Sequence, residues 1–244
     1  MTVPKILATA LVASLVCGEA VAESPRAVVE LFTSQGCSSC PPADKLIAEI
    51  ASDPGVLAIS FPVDYWDYLG WKDTLADKAF SARQKAYGDS RGDRHVYTPQ
   101  AVVDGLGHAV GSDRSAVLAA ASEGTAHGAL TIPVSVEPGP ASIKIRLPAA
   151  PQPFKGPATV LFLPVLKRTE VAIGRGENKG HTVTYTNVVR EVVSLGPWDG
   201  TARTFEAPAS LAKMRNADTY VVVVQQGTPE RPGLILGAAK GPGL

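Results

Sequence analysis

Cys37 and Cys40 stand three positions apart in the run Gly36-Cys37-Ser38-Ser39-Cys40-Pro41-Pro42. That spacing serves two chemistries, thiol–disulfide exchange and metal ligation. Exchange needs a thiolate, which the free N–H groups and positive dipole end of a helix N-terminus stabilise. The following residues predict such a helix over 41–51. Ala43, Leu46, Ile47 and Ile50 recur at helical spacing, and Pro41 and Pro42 suit a first turn. Cys37 is therefore expected to be the attacking sulfur, and Cys40, one turn inside, the resolving one. Zinc needs two further ligands, and the four histidines, His95, His108, His127 and His181, show no His-x-x-x-His spacing. A copper-type thiolate site or a structural disulfide remains as the alternative.

Other residues belong to the same candidate site. Thr98-Pro99 stands just before an apolar run, Ala101 to Val103, and the Asp104-Gly105 turn signal. Tyr65 and Trp66 lie in an aromatic and acidic segment, Asp64 to Asp73, that would line a substrate groove or plug the packing between halves. Glu30 and Asp64 are the candidate proton acceptors, although Glu30 is one residue out of register for a side chain facing the cysteines.

The elements that must hold these residues fall into two textures. Residues 27–32, 56–63, 101–103 and 109–110 read as strands. Helices are expected over 41–51, 74–87 and 114–122, with Asp113 as the cap of the last. Asp104-Gly105 is a hairpin turn signal. Beyond residue 128 the pattern becomes all-β, with strands expected over 130–136, 142–147, 158–167, 182–194, 201–205, 219–225 and 234–239. The fold expected is an α/β domain over 23–127 followed by an all-β, sandwich-like domain over 128–244.

The first 22 residues differ from both. Lys5 precedes an apolar run, Ile6 to Val16, and Ala20-Val21-Ala22 offers a small-x-small cleavage pattern. The expectation is a cleaved signal peptide over 1–22 and a periplasmic or secreted protein, with no stable membrane anchor after cleavage. Ser14-Leu15-Val16 is a poor lipobox before Cys17. Cleavage leaves Cys37 and Cys40 as the only cysteines of the mature chain. In an oxidising compartment such a pair is a disulfide or a redox dithiol. The 244 residues carry 23 basic and 23 acidic side chains, and 45% are hydrophobic. A balanced charge provides no field to attract nucleic acid.

The strand-Thr-x-x-Gly-Cys-x-x-Cys run, with Thr98-Pro99-Gln100 and the strand-Asp-Gly that follows, resembles the glutaredoxin branch of the thioredoxin superfamily. The resemblance implies a cis Pro99 packed against the cysteines and a Thr98 backbone that meets the partner. A narrower resemblance covers nearly the whole mature chain. Glu30 to Asp44, Val63 to Asp73, Tyr97 to Gln100, Gly174 to Asn178 and Tyr185 to Arg190 resemble the secreted bacterial family catalogued as domain of unknown function twelve-twenty-three. It implies a thioredoxin-like half followed by a β-rich half. Gly36 replaces the usual tryptophan before the first cysteine, and Ser38-Ser39 replaces the Gly-Pro of reductants. The expected activity is exported thiol–disulfide exchange with a thiol- or disulfide-bearing protein or small thiol. No cofactor is expected, because the two sulfurs carry the electrons. The alternative is a non-catalytic binding module on the same scaffold.

Overall fold

The computed structural model describes residues 24–154 and 156–244. The expected signal peptide over 1–22 lies outside them. Among the described residues, no helix is long and apolar enough to cross a membrane.

The first strand, β1 (Ala27–Thr33), is buried along its whole length. Its odd-numbered side chains Ala27, Val29 and Leu31 face the helices α1 (Pro41–Ala51) and α3 (Arg114–Ala126). Its even-numbered Val28 and Phe32 enter a second core with Phe80 and Tyr87 of α2 (Lys78–Arg91). A strand covered on both faces reads as a continuous apolar run, as AVVELFT nearly does. It pairs in parallel with β2 (Val56–Pro62) and antiparallel with β3 (Gln100–Val103), which forms a hairpin with β4 (Gly107–Val110). In that hairpin Asp104 and Gly105 have φ of 51° and 71°, the left-handed geometry this turn signal announces.

The sheet does not stop at the expected boundary after residue 127. Its order is β12-β11-β7-β8-β2-β1-β3-β4, with β9 added beside β7. The later members are β7 (Ala158–Ala172), β8 (Thr182–Val189), β9 (Val193–Trp198), β11 (Thr219–Thr228) and β12 (Arg231–Lys240). Ser60 of β2 pairs with Val188 of β8, joining the two halves edge to edge. One face of β7, β11 and β12 supplies Leu161, Leu163, Val165, Val221, Val223 and Ile235 to the core that holds Phe32, Phe61 and Phe80. The opposite face packs on a three-stranded sheet of β5 (Ser135–Pro138), β6 (Ser142–Leu147) and β10 (Arg203–Pro208) around Phe162, Trp198 and Val222. The protein is thus mixed α/β, with one large mixed sheet and a second small one.

Several expected elements shift. The helix expected from Thr74 starts at Lys78, because Asp77 is the N-cap and accepts from the Ala79 amide at 2.9 Å. The strand expected over 182–194 is two strands, since the chain leaves β8 at Arg190 and returns as β9 on the other half of β7. Residues 130–134 instead lie along the edge of β12, where the Leu130 and Ile132 amides donate to Ile235 and Leu236, and β5 begins only at Ser135.

Candidate functional site

β1 ends at Thr33, and a tight turn carries the chain to the disulfide between Cys37 and Cys40, whose Cα atoms are 5.4 Å apart. Cys40 is the N-cap residue of α1, and Pro41 and Pro42 fill the first turn without losing a needed donor. Cys37 sits just outside the helix with its amide bonded to the Ser34 carbonyl. Both cysteines are buried, 1% and 0% exposed, while Ser38 and Ser39 between them face solvent. The Cys37 Sγ lies 3.4 Å from the Ser39 hydroxyl.

The aromatic segment and the proline loop meet beside this turn. A Cβ on Gly36 would lie 2.9 Å from Trp66 Cβ, so only glycine allows that approach. The Trp66 indole donates to the Thr98 hydroxyl at 2.8 Å, and the Thr98–Pro99 peptide is cis. The Tyr65 hydroxyl donates to Gln84, which in turn holds the Tyr97 carbonyl and Gln100. Burial pushes the Tyr65 hydroxyl up to about 12, so it stays protonated. Pro99, Leu31 and Ala43 converge on one point, since a Cβ at Gly111 would lie within 3.3 Å of an atom of each. Trp66, Thr98 and Pro99 therefore gather beside the cysteine turn, while Tyr65 turns to Gln84 of α2.

The two expected acids are not. Glu30 points to the other face of β1, where Arg83 clamps it with bonds of 2.7 and 3.2 Å, both side chains buried. Arg83 also donates to Tyr87 and Gln225, so the carboxylate is spent on a closed polar network. Asp64 accepts from Ser81 and ties the post-β2 loop to α2. Neither is the acid of the cysteine turn.

The acid nearest in sequence on that side is Asp44. It lies one turn after Cys40 on the same face of α1 and is 2% exposed. Thr33 donates to its Oδ1 at 2.7 Å, and its Oδ2 has no hydrogen-bond partner among the described residues. Burial above all, with the nearby Asp73 charge, pushes Asp44 up to about 8. Asp73 is itself buried and raised, though its carboxylate accepts from the amides of Gln35, Leu75 and Ala76. Tyr185 of β8 completes the group, and burial and the two carboxyls raise its hydroxyl. The available signal was an acid at i+4 from Cys40, inside an otherwise apolar helical stripe.

The turn joining β7 to β8 adds two more side chains to this site. Its Asn178 side chain donates to the carbonyls of Gln35 at 3.0 Å and Cys37 at 2.8 Å, and its Glu177 accepts from the Ser38 amide at 3.2 Å. Residues 141 positions apart thus close on the disulfide turn.

A separate cluster, Asp93, His95 and His108, brings three ligand-type atoms within 4.8 Å of one another. Arg91 forks onto Asp93 with contacts of 2.8 and 3.3 Å, and Tyr97 bonds His108 at 2.8 Å. A guanidinium already neutralises its only carboxylate, so the cluster works as an ion-paired staple of the loop before Pro99.

Fold and site together define a mixed α/β protein with a Cys-X-X-Cys disulfide at a helix N-terminus, beside a cis-proline loop. The chain belongs to the family described as "Protein of unknown function (DUF1223)", whose model matches residues 28–225. It is similar to the crystal structure of protein AGR_C_4864 from Agrobacterium tumefaciens, with 34% identity and a TM-score of 0.79 over 91% of this chain and 96% of that one. HBP35 of Porphyromonas gingivalis shares the fold at a TM-score of 0.57 and 14% identity, over 89% of this chain and 74% of that one. A probable thioredoxin of Archaeoglobus fulgidus is 46% identical over 37 residues, which are 15% of this chain and 41% of the relative's length.

Proposed function

We propose that this protein is an exported thiol–disulfide oxidoreductase on a thioredoxin-like scaffold, working in the periplasm or outside the cell. The observation that carries the reading is the Cys37–Cys40 disulfide at the start of α1, with the partly unsatisfied carboxyl of Asp44 one turn inside. The short thioredoxin match supports it.

In the reducing direction, the Cys37 thiolate attacks a partner disulfide, and one partner sulfur leaves as a thiolate. Cys40 then gives its proton to the Asp44 carboxylate and attacks Cys37 Sγ, breaking the mixed disulfide and releasing the second partner sulfur. The protein is oxidised by two electrons and the partner reduced by two. The oxidising direction reverses each step, with neutral Asp44 returning the proton to Cys40. Thr98, Pro99 and Trp66 form the wall against which the partner lies.

Two measurements test this. Cys40→Ser should trap a mixed disulfide through Cys37, and the pair should show a reduction potential well above about −300 mV, the range of structural disulfides. A lower potential with no trapped adduct overturns the enzyme reading. It would favour the second reading, a structural disulfide, whose supporting observation is the burial of both cysteines.

A further inference from the structure

Cys37 is 1% exposed although it stands outside the helix and its neighbours Ser38 and Ser39 are exposed. The far half of the chain packs directly on this turn. Residues 174–180 form the tip of the β7–β8 hairpin, and the tip is internally braced. The Gly180 amide donates to the Ile173 carbonyl at 2.8 Å, and the Lys179 amide to that of Gly176 at 3.2 Å. Gly176 and Gly180 adopt φ of 79° and 85°, which side-chain-bearing residues rarely do. On one flank the tip rests on Trp71, whose ring would lie 3.0 Å from a Cβ at Gly174. Trp71 is fixed by donating to the Gln35 side chain at 2.8 Å. On the other flank Asn178 and Glu177 make three hydrogen bonds to the backbone of residues 35–38. Trp66, against Gly36, closes the opposite side.

We propose that this tip is a size filter, and that the exchange partner is a small-molecule disulfide or thiol rather than the disulfide of a folded protein. This rests on the exchange reaction proposed above and names its substrate class. A small disulfide brings little bulk against the tip or Trp66. A folded protein brings bulk on both sides of its disulfide and must displace the tip, breaking all three hydrogen bonds. The buried Asn178 carboxamide then loses both of its carbonyl partners, so the open form is rare. At ordinary hydrogen-bond strengths the bulky partner is slowed by about a hundredfold.

Alkylation tests the filter without requiring turnover. In reduced full-length protein carrying Cys40→Ser, Cys37 is treated with N-ethylmaleimide and with a maleimide on a long poly(ethylene glycol) chain. The small reagent should react about a hundredfold faster, beyond the ratio seen with a free peptide thiol. Asn178→Ala, and a variant with 174–180 replaced by an Asn-Gly turn, should each bring the ratio to within about threefold of the peptide's. A wild-type tip that does not discriminate, or a ratio unmoved in both variants, overturns the proposal. A protein that never exchanges disulfides still answers this test, so the two readings fail separately. Where exchange is observed, 2-hydroxyethyl disulfide should be turned over faster than insulin, and equal rates count against the filter.

Discussion

Asp44 links the stability of the fold to the chemistry at its sulfurs. Its proton affinity is raised in the folded state, from an ordinary carboxyl value near 3.8 to about 8, mainly by burial. A raised value means the folded protein holds the proton more tightly than the unfolded chain. The stabilisation is complete below about pH 3.8 and is lost as pH climbs through about 8. Asp44→Asn, which keeps the shape and removes the charge, should therefore gain on the wild type across that window and hold a constant lead above it. The lead should reach several kcal/mol, at about 1.4 kcal/mol per unit. Denaturant melts of both proteins from pH 4 to 9 check this, and parallel curves would place the buried charge elsewhere. The same variant should slow resolution of the mixed disulfide about a hundredfold while leaving the first attack by Cys37 nearly intact.

At the scale of elements, α1 is set by contacts that leave no spare volume. Gly111, where β4 gives way to α3, meets Leu31 of β1, Ala43 of α1 and Pro99, and an added Cβ would fall 2.5 Å from Leu31 Cδ1. Gly111→Ala should cost about 1–3 kcal/mol in chemical denaturation, as overpacking of a filled core does. A neutral effect would mean that the junction can open. The elements of the first half were largely legible, because β1, α1, β2 and the Asp104-Gly105 hairpin are local patterns of period, cap and turn. The cysteine turn was legible for the same reason, whereas Thr98-Pro99 rested on the resemblance to the glutaredoxin branch. What failed were features decided at long range. Thr74 reads as helix, but Asp73 draws the amides of Leu75 and Ala76 to its carboxylate, and Asp77 sets the start instead. Glu30 reads as a candidate base until Arg83, 53 residues away, claims it. Asn178 carries no local sign of the carbonyls it reaches 141 and 143 positions back.

For the whole molecule, the decisive feature is that apolar side chains from both halves share a core. Phe32, Phe61, Phe80 and Tyr87 pack with Leu161, Leu163, Val221 and Ile235, and buried Arg83 of the first half bonds Gln225 of the second. The chain should unfold in one calorimetric transition, with equal calorimetric and van't Hoff enthalpies. A fragment ending at residue 127 should bind hydrophobic dyes, because it bares one wall of that core. Two resolved transitions, or a well-behaved fragment, would show that the halves are separate folding units. β7 gives this unity a further meaning. Its fifteen residues back the shared core at one end, and at the other they lead into the turn that bonds the Cys37 carbonyl. In a chimera that trades residues 128–244 between two relatives, stability and access to the sulfurs would therefore be inherited together, as one trait rather than two.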